Sequence, residues 1–416
     1  MKEKSTPAKR GTPDFQLLIL TLILVGFGLL MVFSASSSIA VVNENYGYDS
    51  MYFVKKQIFG AVIGLFGMFV TMNIPYFKYK KLFVPAFLVT IILLMLVPYF
   101  GVELNAARSW FKIGGFSFQP TELAKITIIL YLSALIAKKG ERFRDLRNGY
   151  IPVMMIVGFV AGLIMLQPDL GSCMILVMTA GLIIFAGGAN LKHIMGSLGL
   201  LILGASLVLG AQALISALHS DGSSGTSYQA GRFQAYLNPW ADPQHRGYNL
   251  IQSLTAIGNG GATGVGFGQS IQKLHYLPNA YNDFIFSVIG EEFGFIGTLL
   301  FLLVYVYFIW RGLIIALRCP DIFGTLVGVG IMGLIAIQAF INIGGVTRTI
   351  PITGVTLPFI SYGGSSLLIT MASMGIMLSI SRASSMPAKK EVTKSVVVKQ
   401  STSVTPMTSR GRRFGR

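Results

Sequence analysis

The sequence predicts an all-α polytopic membrane protein of about ten transmembrane helices, with a large extracellular loop between the seventh and the eighth. Three observations predict it. Of 416 residues, 53% are hydrophobic and 12% charged, and the mean hydropathy is +0.66, too apolar for a soluble protein of this size. Apolar runs long enough to cross a bilayer recur from end to end, which makes one helical bundle rather than a soluble domain with an anchor. The alternating polarity of barrel strands is absent.

The runs place spans near 15–36, 56–74, 82–100, 121–138, 151–167, 171–189, 194–218, 283–310, 322–345 and 363–381. The first follows Lys2, Lys4, Lys9 and Arg10, and it is too long and lacks the small-residue cleavage site of a signal peptide. It is read as a retained helix, and nothing is predicted to be removed. Basic residues collect in alternate connections: the N-terminus, Lys78, Lys80 and Lys81, then Lys138, Lys139, Arg142, Arg144 and Arg147, then Lys192, Arg311, Arg318 and the C-terminal tail. The positive-inside rule makes these cytoplasmic and puts both termini inside. The net charge of +17 then follows from topology and attraction to anionic headgroups; nucleic acid is not an expected partner. Cys173 and Cys319 fall on opposite faces and are not expected to pair, and no metal-binding cysteine motif exists.

Positive charge on the outer side runs against this bias and needs its own reason. Arg108, Lys112, Arg232, Arg246, Lys273 and Arg348 lie there. A phosphate-bearing lipid held at the outer surface supplies one reason, because guanidinium and ammonium groups bind pyrophosphate through charge-assisted hydrogen bonds. Salt bridges to loop acids such as Glu103 or Asp242 supply another.

The connection from 219 to 282 is too long for a mere linker. Within it, AIGNGGATGVGFGQS (256–270) crowds glycines into a short stretch, as a close backbone approach or a flexible turn requires; it has no nucleotide-binding signature. In QPTELAK, Glu122 and Lys125 stand three apart on one helix face, placed either to pair locally or to line a cavity. Asp169 in QPDLG is placed to cap the sixth helix. Asp283 stands where a polar loop becomes an apolar run carrying Glu291 and Glu292, an expensive arrangement for packing alone. It reads as a helix cap, a catalytic base, or both.

Six segments occur together and in order: QPTELAK after AARSW, QPDLG, YLNPWADP, the glycine-rich stretch, DFIFSVIGEEFG, and PITGVTLPFISYGGSS (351–366). In this the chain resembles the SEDS family, and AARSW with YLNPW and its DP is most similar to the FtsW/SpoVE branch rather than to RodA. The resemblance covers 15–382 as a transmembrane glycosyltransferase domain, between a cytoplasmic segment 1–14 and a basic, disordered cytoplasmic tail 383–416. It implies a peptidoglycan glycosyltransferase that polymerises lipid II at the outer face of the bacterial cytoplasmic membrane for septum synthesis in cell division. The implied partners are a class B penicillin-binding protein transpeptidase and other divisome proteins.

By the same resemblance Asp283 is catalytic, and Arg108, Glu122, Lys125, Asp169, Arg232 and Lys273 bind substrate. Trp110, Glu291, Glu292 and Ser361 line or support the cavity. The residues before the acid, Pro278, Asn279, Ala280, Tyr281 and Asn282, depart from the family's usual Pro-Glu pair and following His-Thr or Gln-Thr, and Arg348 stands where a small residue is common. A donor that carries its own pyrophosphate leaving group needs one base and no second acid. Arg and Lys side chains, with a divalent cation, then stabilise the pyrophosphate. Two other readings remain: a lipid II flippase or transporter using Glu291 and Glu292, and a noncatalytic divisome scaffold.

Overall fold

Asp14 begins the bundle by doing two jobs. Its carboxylate accepts the Leu17 amide to cap α1 (Phe15–Val42) and also pairs with Arg311 at 2.6 Å. The computed structural model describes residues 11–104, 107–113, 116–167, 169–218 and 228–384, all within one compact unit. The proposed tail from 385 onward and the first ten residues lie outside the described residues.

After α1 come α2 (Tyr52–Asn73), α3 (Tyr76–Phe100), α4 (Pro120–Lys139), α5 (Ile151–Met165), α6 (Leu170–Ala186) and α7 (Leu191–Leu218). Two amphipathic helices, α8 (Tyr228–Leu237) and α9 (Tyr248–Asn259), occupy the long connection, and α10 (Ile285–Leu317), α11 (Ile322–Val346) and α12 (Gly364–Ser384) complete the chain. Among the described residues eight helices are long and apolar enough to cross a membrane. α6 is apolar but shorter, and α7 runs for 28 residues where the seventh span was expected. The main shift is in α10, which continues to Leu317, so Arg311 lies inside a helix rather than in a loop and is neutralised there by Asp14.

Burial ranks the helices. In α4, α11 and α12, 78% of the most apolar window is buried, against 22% in α3, so the first three form the centre and α3 the rim. α2 and α12 approach closely because small residues allow it: a Cβ at Gly375 would stand 2.3 Å from the Met68 oxygen. The bundle is not wholly helical. β1 (Val102–Leu104), β2 (Ala107–Ile113) and β3 (Phe116–Phe118) form a small antiparallel sheet between α3 and α4, in the order β1-β2-β3. β2 carries Arg108 and Trp110, with Arg108 opposite Glu103 in the register.

The glycine-rich stretch is ordered backbone packing, not a free turn. Its amides at Val265 and Gly266 donate to the Glu291 and Glu292 carbonyls, and its Gly261 and Ala262 carbonyls accept from Phe295 and Ile296. These contacts are available because α10 breaks at Gly294, whose φ of 64° and ψ of −167° free its neighbours' backbone groups. A Cβ at Gly294 would stand 2.2 Å from the Gly264 nitrogen. Gly294→Ala is therefore expected to destabilise the protein by more than about 2 kcal/mol, read as a fall in melting temperature and loss of monodisperse protein in detergent.

Candidate active site

The segment leading to Asp283 is fixed from beneath by two carboxylates. Glu291 accepts from the Ser270 hydroxyl, from the Ile271 amide at 3.2 Å and from the Gln272 amide at 3.3 Å. Glu292 accepts from the Lys273 ammonium at 2.7 Å, and Ser34 on α1 completes the cluster. Lys273 and Glu292 are both buried, with side-chain exposures of 6% and 0%. Lys273, expected to bind substrate, is thus engaged in an internal ion pair. Charge sealed from water must be matched locally, and Glu292 is the match.

From there the chain turns through His275 and Asn279, both at positive φ, and anchors Leu277 and Ala280 in the core. Tyr281 wedges its ring between Phe53, at 4.4 Å between centroids, and Tyr362, at 5.7 Å. Asp283 follows as a partly exposed residue just ahead of α10. It does not cap that helix: the capping position is Phe284, with no side-chain capping bond. The cap reading of Asp283 fails because its carboxyl turns elsewhere.

That carboxyl meets Arg232 across Gly354. A Cβ at Gly354 would lie 3.4 Å from Asp283 Oδ2 and 3.5 Å from Arg232 Nη2, ordinary contact distances, so both groups stand beside this residue and it is the φ of +75° that calls for glycine. Arg232 Nη1 donates to the Thr353 carbonyl at 3.0 Å. Asp283 Oδ1 is covered and accepts no hydrogen bond within the structure. Burial pushes the Asp283 carboxyl up to about 6, against the downward pull of the Arg232 guanidinium. This carboxyl is thus placed to change charge near neutral pH.

Arg232 reaches this place because α8 is pinned to the loop after α11. Arg348 donates to the Tyr236 and Leu237 carbonyls at 3.1 and 3.0 Å, closing the C-terminus of α8, and the Tyr236 hydroxyl donates to the Thr349 carbonyl at 3.3 Å. Arg348 therefore serves as a helix clamp. Asp242 is engaged by His245 and the Arg246 amide, and Arg246 donates to Gln234 at 2.8 Å.

The remaining candidates form separate clusters. Glu122 and Lys125 are buried and pair at 2.8 Å on α4. Asp169 caps α6 through the Ser172 amide at 2.9 Å and accepts from Gln119 at 3.3 Å. Arg108 is exposed on β2 and Trp110 half-buried beside it. The Ser361 hydroxyl accepts the Leu357 amide at 2.8 Å, and its carbonyl accepts from Gln57, so it shapes the 351–366 loop. Asn342, buried on α11, was not singled out from the sequence, although a lone asparagine in an apolar span is itself a signal. Among the described residues no group of three or more His, Cys, Asp or Glu side chains could hold a metal ion. Arg232 already brings positive charge to the Asp283 carboxyl, so the residues there do not fit a protein-built cation site.

Replacing Lys273 by Met is expected to cost about 3–5 kcal/mol by leaving Glu292 buried and unpaired. Pairing that change with Glu292→Gln should recover much of the loss, a difference readable in thermal melts of the single and double variants.

The geometry can be set beside known proteins. The chain is 43% identical to stage V sporulation protein E of Bacillus subtilis (strain 168), over 90% of this chain and 98% of that protein. It is 39% identical to a probable peptidoglycan glycosyltransferase FtsW of Trichlorobacter lovleyi, over 90% and 94%. Its fold matches a solved structure described as the structural coordination of polymerization and crosslinking by a peptidoglycan synthase complex, with a TM-score of 0.71, 29% identity, and coverage of 90% of this chain and 99% of that one. It also matches the rod shape determining protein RodA of Thermus thermophilus, with a TM-score of 0.62, 27% identity, and coverage of 90% and 98%. Residues 15–386 match the FtsW/RodA/SpoVE family, described as cell cycle proteins, and the chain belongs to that family.

Proposed function

We propose that this chain is a peptidoglycan glycosyltransferase that polymerises lipid II, with Asp283 as its base. The observation that carries the reading is the Asp283 carboxyl, raised to about 6 and set against Arg232 at the head of α10. Asp283 takes the proton from the attacking hydroxyl of the acceptor sugar. That oxygen bonds to the anomeric carbon of the donor, whose bond to the undecaprenyl pyrophosphate breaks with the electron pair leaving on the pyrophosphate. Arg232 supplies a fixed positive charge at the site where negative charge develops. A divalent cation, where one takes part, comes with the pyrophosphate rather than from a protein cage, in the manner of ions bound mainly through substrate phosphates.

The reaction faces the outside of a bacterial cytoplasmic membrane, with both termini cytoplasmic; the distribution of Lys and Arg supports this. A class B penicillin-binding protein transpeptidase is the proposed partner, within a division complex. The solved relative whose description couples polymerization to crosslinking supports that pairing. Transport by way of Glu291 and Glu292 is disfavoured, because both carboxylates are already committed to loop amides and to Lys273.

Purified protein given lipid II, with and without the transpeptidase, tests the assignment. Wild type should make glycan polymer, and Asp283→Ala should lose at least about 100-fold in rate; equal polymerisation by the variant refutes the base. A protonated base cannot accept a proton, so wild-type activity should fall as pH drops through about 6. Arg232→Gln removes the charge that lowers the Asp283 pKa, so its acid limb should move to higher pH.

A further inference from the structure

Asn342 lies near the end of α11 with 4% of its surface exposed. Its Nδ2 donates to two main-chain oxygens, those of Asp283 and Val355, each at 2.7 Å. An amide nitrogen has two hydrogens, and both are used. The acceptors belong to the two segments that build the site: Asp283 carries the carboxyl, and Val355 follows the Gly354 against which that carboxyl and Arg232 both rest.

We propose that Asn342 is a positioning residue for the transferase: by holding both carbonyls on one nitrogen it fixes the Asp283 carboxyl against Gly354 and the Arg232 guanidinium. The inference rests on Asp283 being the base. The carboxyl has little else to define it, since Oδ1 accepts no hydrogen bond within the structure and Asp283 does not cap α10. The Asn282 amide bonds back to Asn279 and the Tyr281 carbonyl accepts from Tyr362, but these contacts hold the approach to Asp283 and not its distance from Gly354. Arg232 is fixed from the other side, through Thr353 in the same loop. Asn342 is therefore the link that sets base and guanidinium on a common frame. Serine has one hydrogen and can keep only one of the two carbonyls; leucine, of similar size, keeps neither.

The test uses the full-length protein as wild type, Asn342→Leu, Asn342→Ser and Asp283→Ala, each assayed with lipid II across pH. With normal accumulation, the two Asn342 variants should lose kcat on the order of tenfold to a hundredfold, with KM changed far less. Their acid limb should move down in pH, because a released carboxyl gains water. The charged and titratable groups facing it, the Arg232 guanidinium and the Tyr281 phenol, are unaltered in both variants. Wild-type kcat and pH profile in the serine variant overturn the proposal, and that variant decides the matter if the leucine one does not fold. Failure of both to accumulate overturns it in favour of a purely structural role. Activity retained by Asp283→Ala removes the base itself, a result separate from any outcome at Asn342.

Discussion

A charge taken out of water must find its counter-charge in the protein, and the Lys273–Glu292 pair meets that demand beneath the outer loop. The consequence reaches well beyond the two side chains. To bring Lys273 onto Glu292, the loop from Ser270 must fold down onto α10, and Glu291 beside it collects the hydroxyl and amides of that same loop. The loop then has one place from which to rise to Asp283. Two acids that look like a transport path in one dimension are the floor on which the outer loop is built.

The break at Gly294 belongs to the same design. An unbroken α10 would keep its backbone groups within the helix, leaving the glycine-rich stretch with no partners for its amides. With the break, the backbone of 261–266 docks edge to edge on residues 291–296, at a separation that side chains would prevent. Cation contacts to carbonyls do the corresponding work on the other side of the site. Arg348 closes α8 and Arg232 binds the Thr353 carbonyl, so a short amphipathic helix that could not hold itself in water is seated on the loop after α11. Two of the outer arginines thus take different parts: Arg348 is a clamp, and Arg232 stands beside the acid.

What could be read in advance followed from locality. The Glu122–Lys125 pair and the Asp169 cap are contacts three residues apart, and helix geometry alone predicts them. The membrane class followed from composition, and the apolar runs fell where the helices are. The cap at Asp283 was also a local expectation, and it failed because α10 starts one step later and a distant glycine loop offers the carboxyl an arginine instead. The three-stranded sheet at 102–118 was missed because β1 and β3 have only three residues each and the seven of β2, ARSWFKI, do not alternate strictly in polarity. Asn342 was passed over because its value lies in two carbonyls, neither of them on its own helix.

By itself, then, the sequence determined the solvent, the succession of apolar helices, the family motifs and the acid at the head of α10, because each is set by side-chain polarity and spacing along one strand of chain. Tertiary structure alone decided which charges are spent on each other and which face the site. Lys273 and Arg232 are alike as outer cations in the sequence; the fold buries the first against Glu292 and seats the second, through the Thr353 carbonyl, beside Asp283. Electrostatic partnership falls off with distance in space, not with separation along the chain, and only the fold sets that distance.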